Sequence, residues 1–309
     1  MSALKALMLA IGVVSIAHQE SATFISGGAR IYLTNANGGT IDGLGQGDKQ
    51  KHVVVTGNLA QIHSPEKGLT ARGRTLEFTW AELDPKTMEF RQGRIEGNAT
   101  IIIDGEEAQK ALADDAQKLN KPLPTPQSES SFMQADSDLF SYAGTVKAGT
   151  LTMPNPWTFK QTSKGTKDEE KDRKHVKITY DQAFEASGSK GIINLVPGPD
   201  GVLNQLETGT LDGPVHFKIV RHEMTEGTAK PSTSTYIGVA DHIGMNLAGH
   251  PGTITASGHV IVDADLNGDS CHFEEDTFIF EVNEKLEPLG FQFHGSPGLT
   301  KAKAKDGGK

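Results

Sequence analysis

The chain has 309 residues, of which 36% are hydrophobic and 22% are charged, and it carries a formal net charge of −9. This composition excludes a disordered chain, and the excess of acidic residues excludes nucleic acid as a partner. The single cysteine, Cys271, excludes both an internal disulfide and a cysteine-rich zinc site.

The N-terminal segment has the features of an export signal. Lys5 precedes an apolar stretch over residues 6–17, and Ser15-Ile16-Ala17 places small residues where a signal peptidase cleaves. The stretch is too short to cross a bilayer comfortably. We therefore predict a cleaved signal peptide over residues 1–17, with an uncleaved N-terminal membrane anchor as the alternative.

Residues 22–104 show the alternation of apolar and polar residues that is typical of strands. HVVVTGNLAQI, RTLEFTW and GRIEGNATIII are separated by turn signals, and together they predict a first β segment. Residues 105–135 predict an insertion, because GEEAQKALADDAQKL is rich in helix-forming residues and PLPTPQ ends the helix.

Residues 136–298 return to the strand pattern and predict a second β segment that continues the same fold. Inside it, the mixed charge run over 163–175 predicts a solvated loop. Residues 299–309 predict a disordered tail. The chain as a whole predicts an all-β protein of repeated antiparallel strands with one short helical insertion.

One strand pattern recurs four times, with apolar residues at every second position and a glycine at one of those positions. A period of two places these residues on one face of a strand. The glycines of the four copies are Gly57, Gly97, Gly213 and Gly258. We predict that they point inward and leave room along the interior for acyl chains; tight packing of one sheet on another is the alternative.

A second kind of strand alternates with the glycine-containing one. Asp241 and Asp276 each precede the apolar face of such a strand by two residues. The pair of strands therefore behaves as a repeated β-meander unit. Repetition of this kind favours a stacked or rolled sheet over a globular enzyme fold.

These repeats resemble the OstA-like (organic-solvent-tolerance-like) periplasmic proteins of lipopolysaccharide transport. The resemblance is carried by GRTLEFTW followed by GRIEGNATIII, and by Ala240-Asp241 followed by Gly258-His259-Val260. It implies a periplasmic β-jellyroll folded like a taco, with acyl chains of lipopolysaccharide held between two sheets. It also implies open sheet edges that dock other envelope transport components or add end to end in a homo-oligomer.

The function predicted from this resemblance is a lipid-binding bridge or carrier for lipopolysaccharide transport to the outer membrane, without catalytic residues. An exported structural or adhesive β-repeat protein without a lipid ligand is the alternative, and if the N-terminus is uncleaved the protein is anchored in the inner membrane. The residues predicted to line the lipid groove are apolar strand residues: Val55, Leu59, Phe78, Ile101, Val215, Phe217, Met245, Val260, Phe278 and Phe280.

The segment DADLNGDSCHFE at 263–274 matches the spacing of a twelve-residue calcium loop. The oxygen ligands would come from Asp263, Asp265, Asn267, Asp269 and Glu274. A calcium loop needs flanking helices, whereas the flanks here are strand-like, and Asn-Gly is a favoured hairpin turn. We therefore predict a β-hairpin, with calcium as the less favoured alternative.

No catalytic or cofactor motif is present in the sequence. The histidines form no HExxH motif, no GxSxG elbow exists, and the glycine-rich stretch over 43–47 lacks the lysine of a phosphate loop. An enzyme acting on polysaccharide is the least favoured class. His242, His250, His259 and His272 are predicted to face solvent from strands or turns, and no cofactor is predicted.

Overall fold

The structure is a computed structural model. It describes residues 21–26, 29–36, 40–42, 50–65, 68–84, 87–120, 122–123, 129–145, 147–171, 174–197, 203–228, 230–249, 251–282 and 288–294. The predicted signal peptide over 1–17, the stretch over 43–47, His250 and the predicted tail over 299–309 lie outside the described residues.

The described residues form sixteen strands and one helix, and the strands pair in antiparallel fashion throughout the hairpins and ladders described below. The prediction of an all-β array with one helical insertion is confirmed. The elements are β1 (Ser21–Ser26), β2 (Ala29–Ala36), β3 (Thr40–Asp42), β4 (Gln50–Ser64), β5 (Leu69–Asp84), β6 (Thr87–Asp104), α1 (Gly105–Lys118), β7 (Glu129–Gly144), β8 (Gly149–Met153), β9 (Trp157–Lys171), β10 (Lys174–Gly188), β11 (Lys190–Pro197), β12 (Leu203–Thr225), β13 (Ser232–Asn246), β14 (Gly252–Leu266), β15 (Asp269–Val282) and β16 (Pro288–His294).

The chain divides into two compact units. Unit 1 comprises Met1–Pro126, Phe132–Trp157 and Lys190–Glu207, and its strands follow the order β1-β2-β4-β5-β6-β7-β8-β11, with β3 paired to β4. Its core contains fully buried side chains such as Val53, Val55, Leu76 and Phe78. Segments on both sides of the predicted insertion belong to unit 1.

The helix α1 forms where the sequence predicts it. Asp104 caps its N-terminus, because one carboxylate oxygen accepts hydrogen bonds from the backbone N–H of Glu106 and Glu107 at 3.0 and 3.1 Å. Ala116 is its one buried residue, so the helix is held to the unit by few apolar contacts. Strand pairing resumes at Glu129 in β7, earlier than the predicted end of the insertion at residue 135.

Unit 2 comprises Gln127–Ser131, Thr158–Ser189 and Thr208–Lys309, and its strands follow the order β9-β10-β12-β13-β14-β15-β16. Side chains of four adjacent strands make its core, because alternate residues of each strand point to the same face. The core residues are Phe217, Ala240, Ala256, Val260, Val262 and Phe278.

The prediction of a loop over 163–175 is wrong. These residues extend β9 and β10 into a long hairpin, and only 172–173 between the strands lie outside the described residues. Charged side chains are compatible with these strands because β9 and β10 pair through their backbones. Here Lys160 and Lys164 of β9 also lie 3.7 Å from Glu185 and Asp181 of β10.

The two units repeat one irregularity of strand pairing. In unit 1, Arg72 of β5 pairs with Thr100 of β6, and the next pair is Thr75 with Glu96. Three residue steps along β5 therefore oppose four along β6. In unit 2, Val239 to His242 of β13 pairs with Ile261 to Ser257 of β14 in the same way. The next strand pairs, β6–β7 and β14–β15, share a second shift of register. In both, three residue steps along the first strand oppose two along the second. The repetition predicted from the sequence is therefore a repeated β-bulge.

No helix among the described residues combines the length and the apolar character needed to cross a membrane.

Candidate functional site

The apolar face of unit 2 is the strongest candidate for a binding surface. It continues over β10, β12, β13, β14 and β15, since the core residues of these strands are joined by partly buried Phe184, Ala186, Ile243, Phe273 and Phe280. Phe278 and Phe280 make an edge-to-face contact with centroids 4.2 Å apart. Several aromatic rings of one face thus remain only half-covered.

A cavity of about 310 Å³ lies beside this core. Ala186, Phe217 and Gly238 are in register across β10, β12 and β13, and all three line it. Phe159 of β9 lines it too and contacts the ring of Phe184, with centroids 5.7 Å apart. Ala186 adds little side-chain volume to this row, and the cavity is large enough for a small ligand.

Gly238 has a defined role in this arrangement. A Cβ atom at this position would lie 2.2 Å from Cζ of Phe217, so the phenylalanine ring crosses β13 over the glycine backbone. The charged residues that neighbour this row, Lys160, Glu185 and Lys218, are exposed. Lys160 and Glu185 form an ion pair of 3.7 Å there. These charged residues line the cavity together with Thr158, Ser187 and His216, so polar and apolar groups both form its wall.

The structure divides the ten predicted groove residues between the two units. Val215, Phe217, Met245, Val260, Phe278 and Phe280 belong to unit 2, and the other four to unit 1. Val55 and Val215 are 0% exposed, and Phe78 and Val260 are 1% exposed, so these four side chains are packed on all sides. Ile101, Met245 and Phe280 are half-buried. Phe217 is the predicted residue that lines the cavity.

The prediction for Leu59 is wrong, because its side chain is 42% exposed. The register of β4 against β5 shifts between Thr56 and Ala60, and the buried positions change from Val53 and Val55 to Ala60 and Ile62. A bulge reverses the alternation of faces beyond it, and this moves Leu59 outward.

The predicted inward glycines also have a different role. Gly97, Gly213 and Gly258 have φ angles of +78°, +85° and +71° and lie at register shifts. Each glycine lies close to a side chain of a neighbouring segment. A Cβ atom added to Gly97, Gly213 or Gly258 would lie 2.9 Å from Arg74, 2.2 Å from Ser189 or 2.8 Å from Asp241, respectively. Arg74 and Asp241 are exposed. These glycines therefore form bulges instead of widening the interior. Gly57 lies within the register shift of β4.

The segment over 263–274 is a β-hairpin, as the flanking strands predicted. Leu266 pairs with Asp269, and Asn267 and Gly268 form the two-residue turn with φ angles of 58° and 96°. The backbone N–H of Gly268 donates to Asp265 at 2.8 Å. Within the described part of the chain, no three His, Cys, Asp or Glu side chains are grouped to hold a metal ion.

A second cavity, of about 360 Å³, lies at the end of this hairpin. It is lined by Thr235, Ile237, Asp263, Ala264, Asp265, Ser270, Cys271 and His272. Asp263 and His272 face each other across the strands, with Oδ1 and Nδ1 2.6 Å apart. Ile237 is half-exposed and also lines the first cavity.

The predicted solvent-facing histidines make specific contacts with carboxylates. His242 Nδ1 lies 2.6 Å from Asp212, and His259 Nδ1 lies 2.9 Å from Asp241. The side chain of His259 is 91% exposed, which agrees with the prediction. Its hydrogen bond to Asp241, and the charges of Asp241, Asp276 and Glu274, raise the pKa of His259 above the ordinary value.

Comparison of the chain with protein-family models, curated proteins and solved structures finds no match. The sequence interpretation did not select Phe159, Phe184, Ala186 or Gly238. Part of the information needed to find them was in the sequence. Apolar residues alternate with polar ones in WTFK, which contains Phe159, and in AFEASG, which contains Phe184 and Ala186, and this alternation is typical of strands.

Proposed function

We propose that the apolar face of unit 2 binds an acyl chain of an amphiphile, with the chain in the cavity beside Phe159, Ala186 and Phe217. The observation that carries this proposal is a cavity of about 310 Å³ next to a face whose aromatic side chains are only half-covered. A monomeric soluble protein rarely leaves a large apolar patch uncovered without a binding role.

Burial of an acyl chain supplies the free energy for binding. Each methylene that leaves water contributes about 0.8 kcal/mol. The acyl chain would lie beside the small side chain of Ala186 and contact the ring of Phe159, whereas the space over Gly238 is filled by the ring of Phe217. The exposed Lys160 and Lys218 also line the cavity, where they are suited to an anionic headgroup.

The wider proposal follows the resemblance to the OstA-like proteins. In it, the protein is a periplasmic bridge or carrier that accepts lipopolysaccharide or a related amphiphile and passes it towards the outer membrane. Strand β16 ends the strand order of unit 2, and it pairs with β15 alone among the described strands. An edge of this kind supports docking of other envelope components, or of a second copy, by strand addition.

A structural or adhesive β-repeat protein is the second candidate. It is favoured by the complete burial of Val55, Phe78, Val215 and Val260, because a core packed in this way leaves no space for a ligand at those residues. The two candidates therefore differ in whether the region around Phe159 and Ala186 takes up a lipid.

Titration of the detergent-free protein with phospholipid and with lipopolysaccharide, followed by native mass spectrometry, separates the candidates. We expect bound lipid on the wild-type chain and a loss of at least tenfold in affinity for Phe159→Asp, because a carboxylate is costly to bury against an acyl chain. Phe159 is half-buried, so this substitution disturbs the fold less than one at Phe217.

The matched control is Thr162→Asp, which adds the same charge at an exposed position of the same strand. It should bind lipid like the wild type. A wild-type chain that takes up neither lipid would exclude the carrier and favour the structural protein. Equal binding by both variants would place the lipid elsewhere.

A further inference from the structure

Two histidine–aspartate pairs lie where the strands of unit 2 change register. Asp212 of β12 and His242 of β13 are partners immediately before the first shift, and their Oδ1 and Nδ1 atoms are 2.6 Å apart. Asp241 of β13 and His259 of β14 lie inside the next shift, with Oδ2 and Nδ1 2.9 Å apart. The two pairs therefore connect three consecutive strands at their bulges.

The bulge of β14 has an unusual backbone at the histidine. His259 has a φ of 43° and follows Gly258, whose φ is 71°. A non-glycine residue in the left-handed region is uncommon and costs conformational energy, so its surroundings must hold it there. The contact that the structure shows for the imidazole is the one with Asp241 of the neighbouring strand.

We infer that the pair Asp241–His259 forms a proton-dependent clasp that holds β13 and β14 together at their bulge, beside the contact of Asp212 with His242 that joins β13 to β12. Protonation of His259 strengthens its contact with Asp241, since a hydrogen bond between two charged groups is stronger than one with a neutral partner. Loss of the proton from His259 removes the positive charge that faces Asp241.

The carboxylates that face these imidazoles come from three strands. His242 is opposed by Asp212 of β12, and its neighbour on β14 is Ser257, which does not titrate. His259 is opposed by Asp241 of β13 and feels the charges of Asp276 and Glu274 of β15. The carboxylates of Asp241, Asp276 and Glu274 favour the protonated form of His259.

The sign of the pH dependence follows from this arrangement. A histidine whose pKa is raised on folding contributes stability that is fully present below its unfolded pKa, near 6.5, and that is lost as the pH rises through the folded pKa. The clasp therefore holds at pH 6 and weakens towards pH 8. It acts independently of lipid binding, because it uses none of the residues that line the cavity beside Phe217.

Hydrogen exchange of the full chain, resolved by mass spectrometry, tests the clasp. After correction for intrinsic exchange, we expect protection of the bulge segments of β13 and β14 to fall about threefold between pH 6 and pH 8, as for weak exposed ion pairs. In the double variant His242→Gln/His259→Gln, which keeps donors but no titratable ring, protection should not change with pH.

The matched control is His272→Gln. His272 pairs with Asp263 at 2.6 Å in the regular part of the β14–β15 hairpin, away from the bulges. This variant should keep the threefold change at the bulges. Equal pH dependence in the wild type and the double variant would overturn the clasp, as would loss of the change in His272→Gln.

A second measurement does not depend on the folding of the double variant. NMR titration of the histidine side chains should give a pKa for His259 above 6.5 in the wild type, and a lower one in Asp241→Asn. An unchanged pKa in that variant would show that Asp241 does not hold the proton, and it would contradict the inference.

Discussion

The bulges of the two units share one backbone and differ in the side chains that occupy it. Gly97-Asn98 of β6 and Gly258-His259 of β14 both have positive φ at two successive residues, and the pairing shifts around them match step for step. The neighbouring strand places Arg74 against Gly97 and Asp241 against Gly258.

This difference separates the structural part of the motif from its chemical part. The glycine and its left-handed neighbour are required by the bulge in either unit, and asparagine is one of the residues that tolerate this conformation best. Histidine opposite aspartate adds a titratable contact in unit 2, whereas asparagine beside arginine adds none in unit 1. The bulge is therefore a structural feature of both units, and the titratable contact at the bulge is specific to unit 2.

The largest effect is expected from removal of the shared glycines. Gly97→Ala and Gly258→Ala should each cost about 2–3 kcal/mol, because the new Cβ is strained by the positive φ and meets a neighbouring side chain within 3 Å. Urea unfolding with hydrogen exchange resolved for each unit measures both losses.

Gly227→Ala is the control for this pair of variants. Gly227 has a φ of +83°, but a Cβ atom added there would meet nothing within 4 Å, so this variant carries the strain without the contact. We expect a cost of about 1 kcal/mol. A control as costly as the two bulge variants would mean that the close approach of the strands contributes nothing.

His259→Asn should give the bulge of unit 2 the glycine–asparagine pair that occupies the bulge of unit 1. Asparagine keeps the left-handed conformation, so we expect stability at pH 8 to stay close to that of the wild type. The wild type should become more stable on acidification to pH 6, and this increase in stability should be smaller in the variant, since Asp241 loses its cationic partner. Urea midpoints at the two pH values provide the measurement, and an undiminished gain would assign the pH response to other groups.

The smallest effect is expected from the reverse exchange in unit 1. The double variant Arg74→Asp/Asn98→His should place an imidazole opposite a carboxylate and give it a pKa above the ordinary value. Asn98→His alone should not, because the positive charge of Arg74 disfavours protonation. NMR titration of the introduced histidine distinguishes the two variants, and equal pKa values would show that the position opposite the bulge does not control the proton.

Local sequence signals predicted the elements well. The helix after Asp104 and the hairpin at Asn267-Gly268 were predictable because capping and turn chemistry act within a few residues. The long hairpin of β9 and β10 was not, since its charged residues are typical of loops and its pairing depends on backbone hydrogen bonds with another strand.

The candidate site was less predictable, because a bulge changes the face of the sheet to which the following side chains point. Alternation alone placed Leu59 inside and pointed Gly97 and Gly258 inward, but one extra residue reverses the faces beyond it. The contact between Asp241 and His259 depends on the register between two strands, which a single sequence does not specify. Phe217 lines the cavity and follows the regular alternation beyond the bulge at Gly213, and its contact with lipid stays a prediction.

Photo-crosslinking with a phospholipid that carries a diazirine on its acyl chain tests the proposed lipid site most directly. We predict that the crosslinked peptides contain the segments of β9, β10 and β12 around Phe159, Ala186 and Phe217, and that Phe159→Asp abolishes these crosslinks while Thr162→Asp does not. Crosslinks confined to the exposed leucines of unit 1, such as Leu119 and Leu123, or their absence from unit 2 would contradict an acyl-chain site in the cavity.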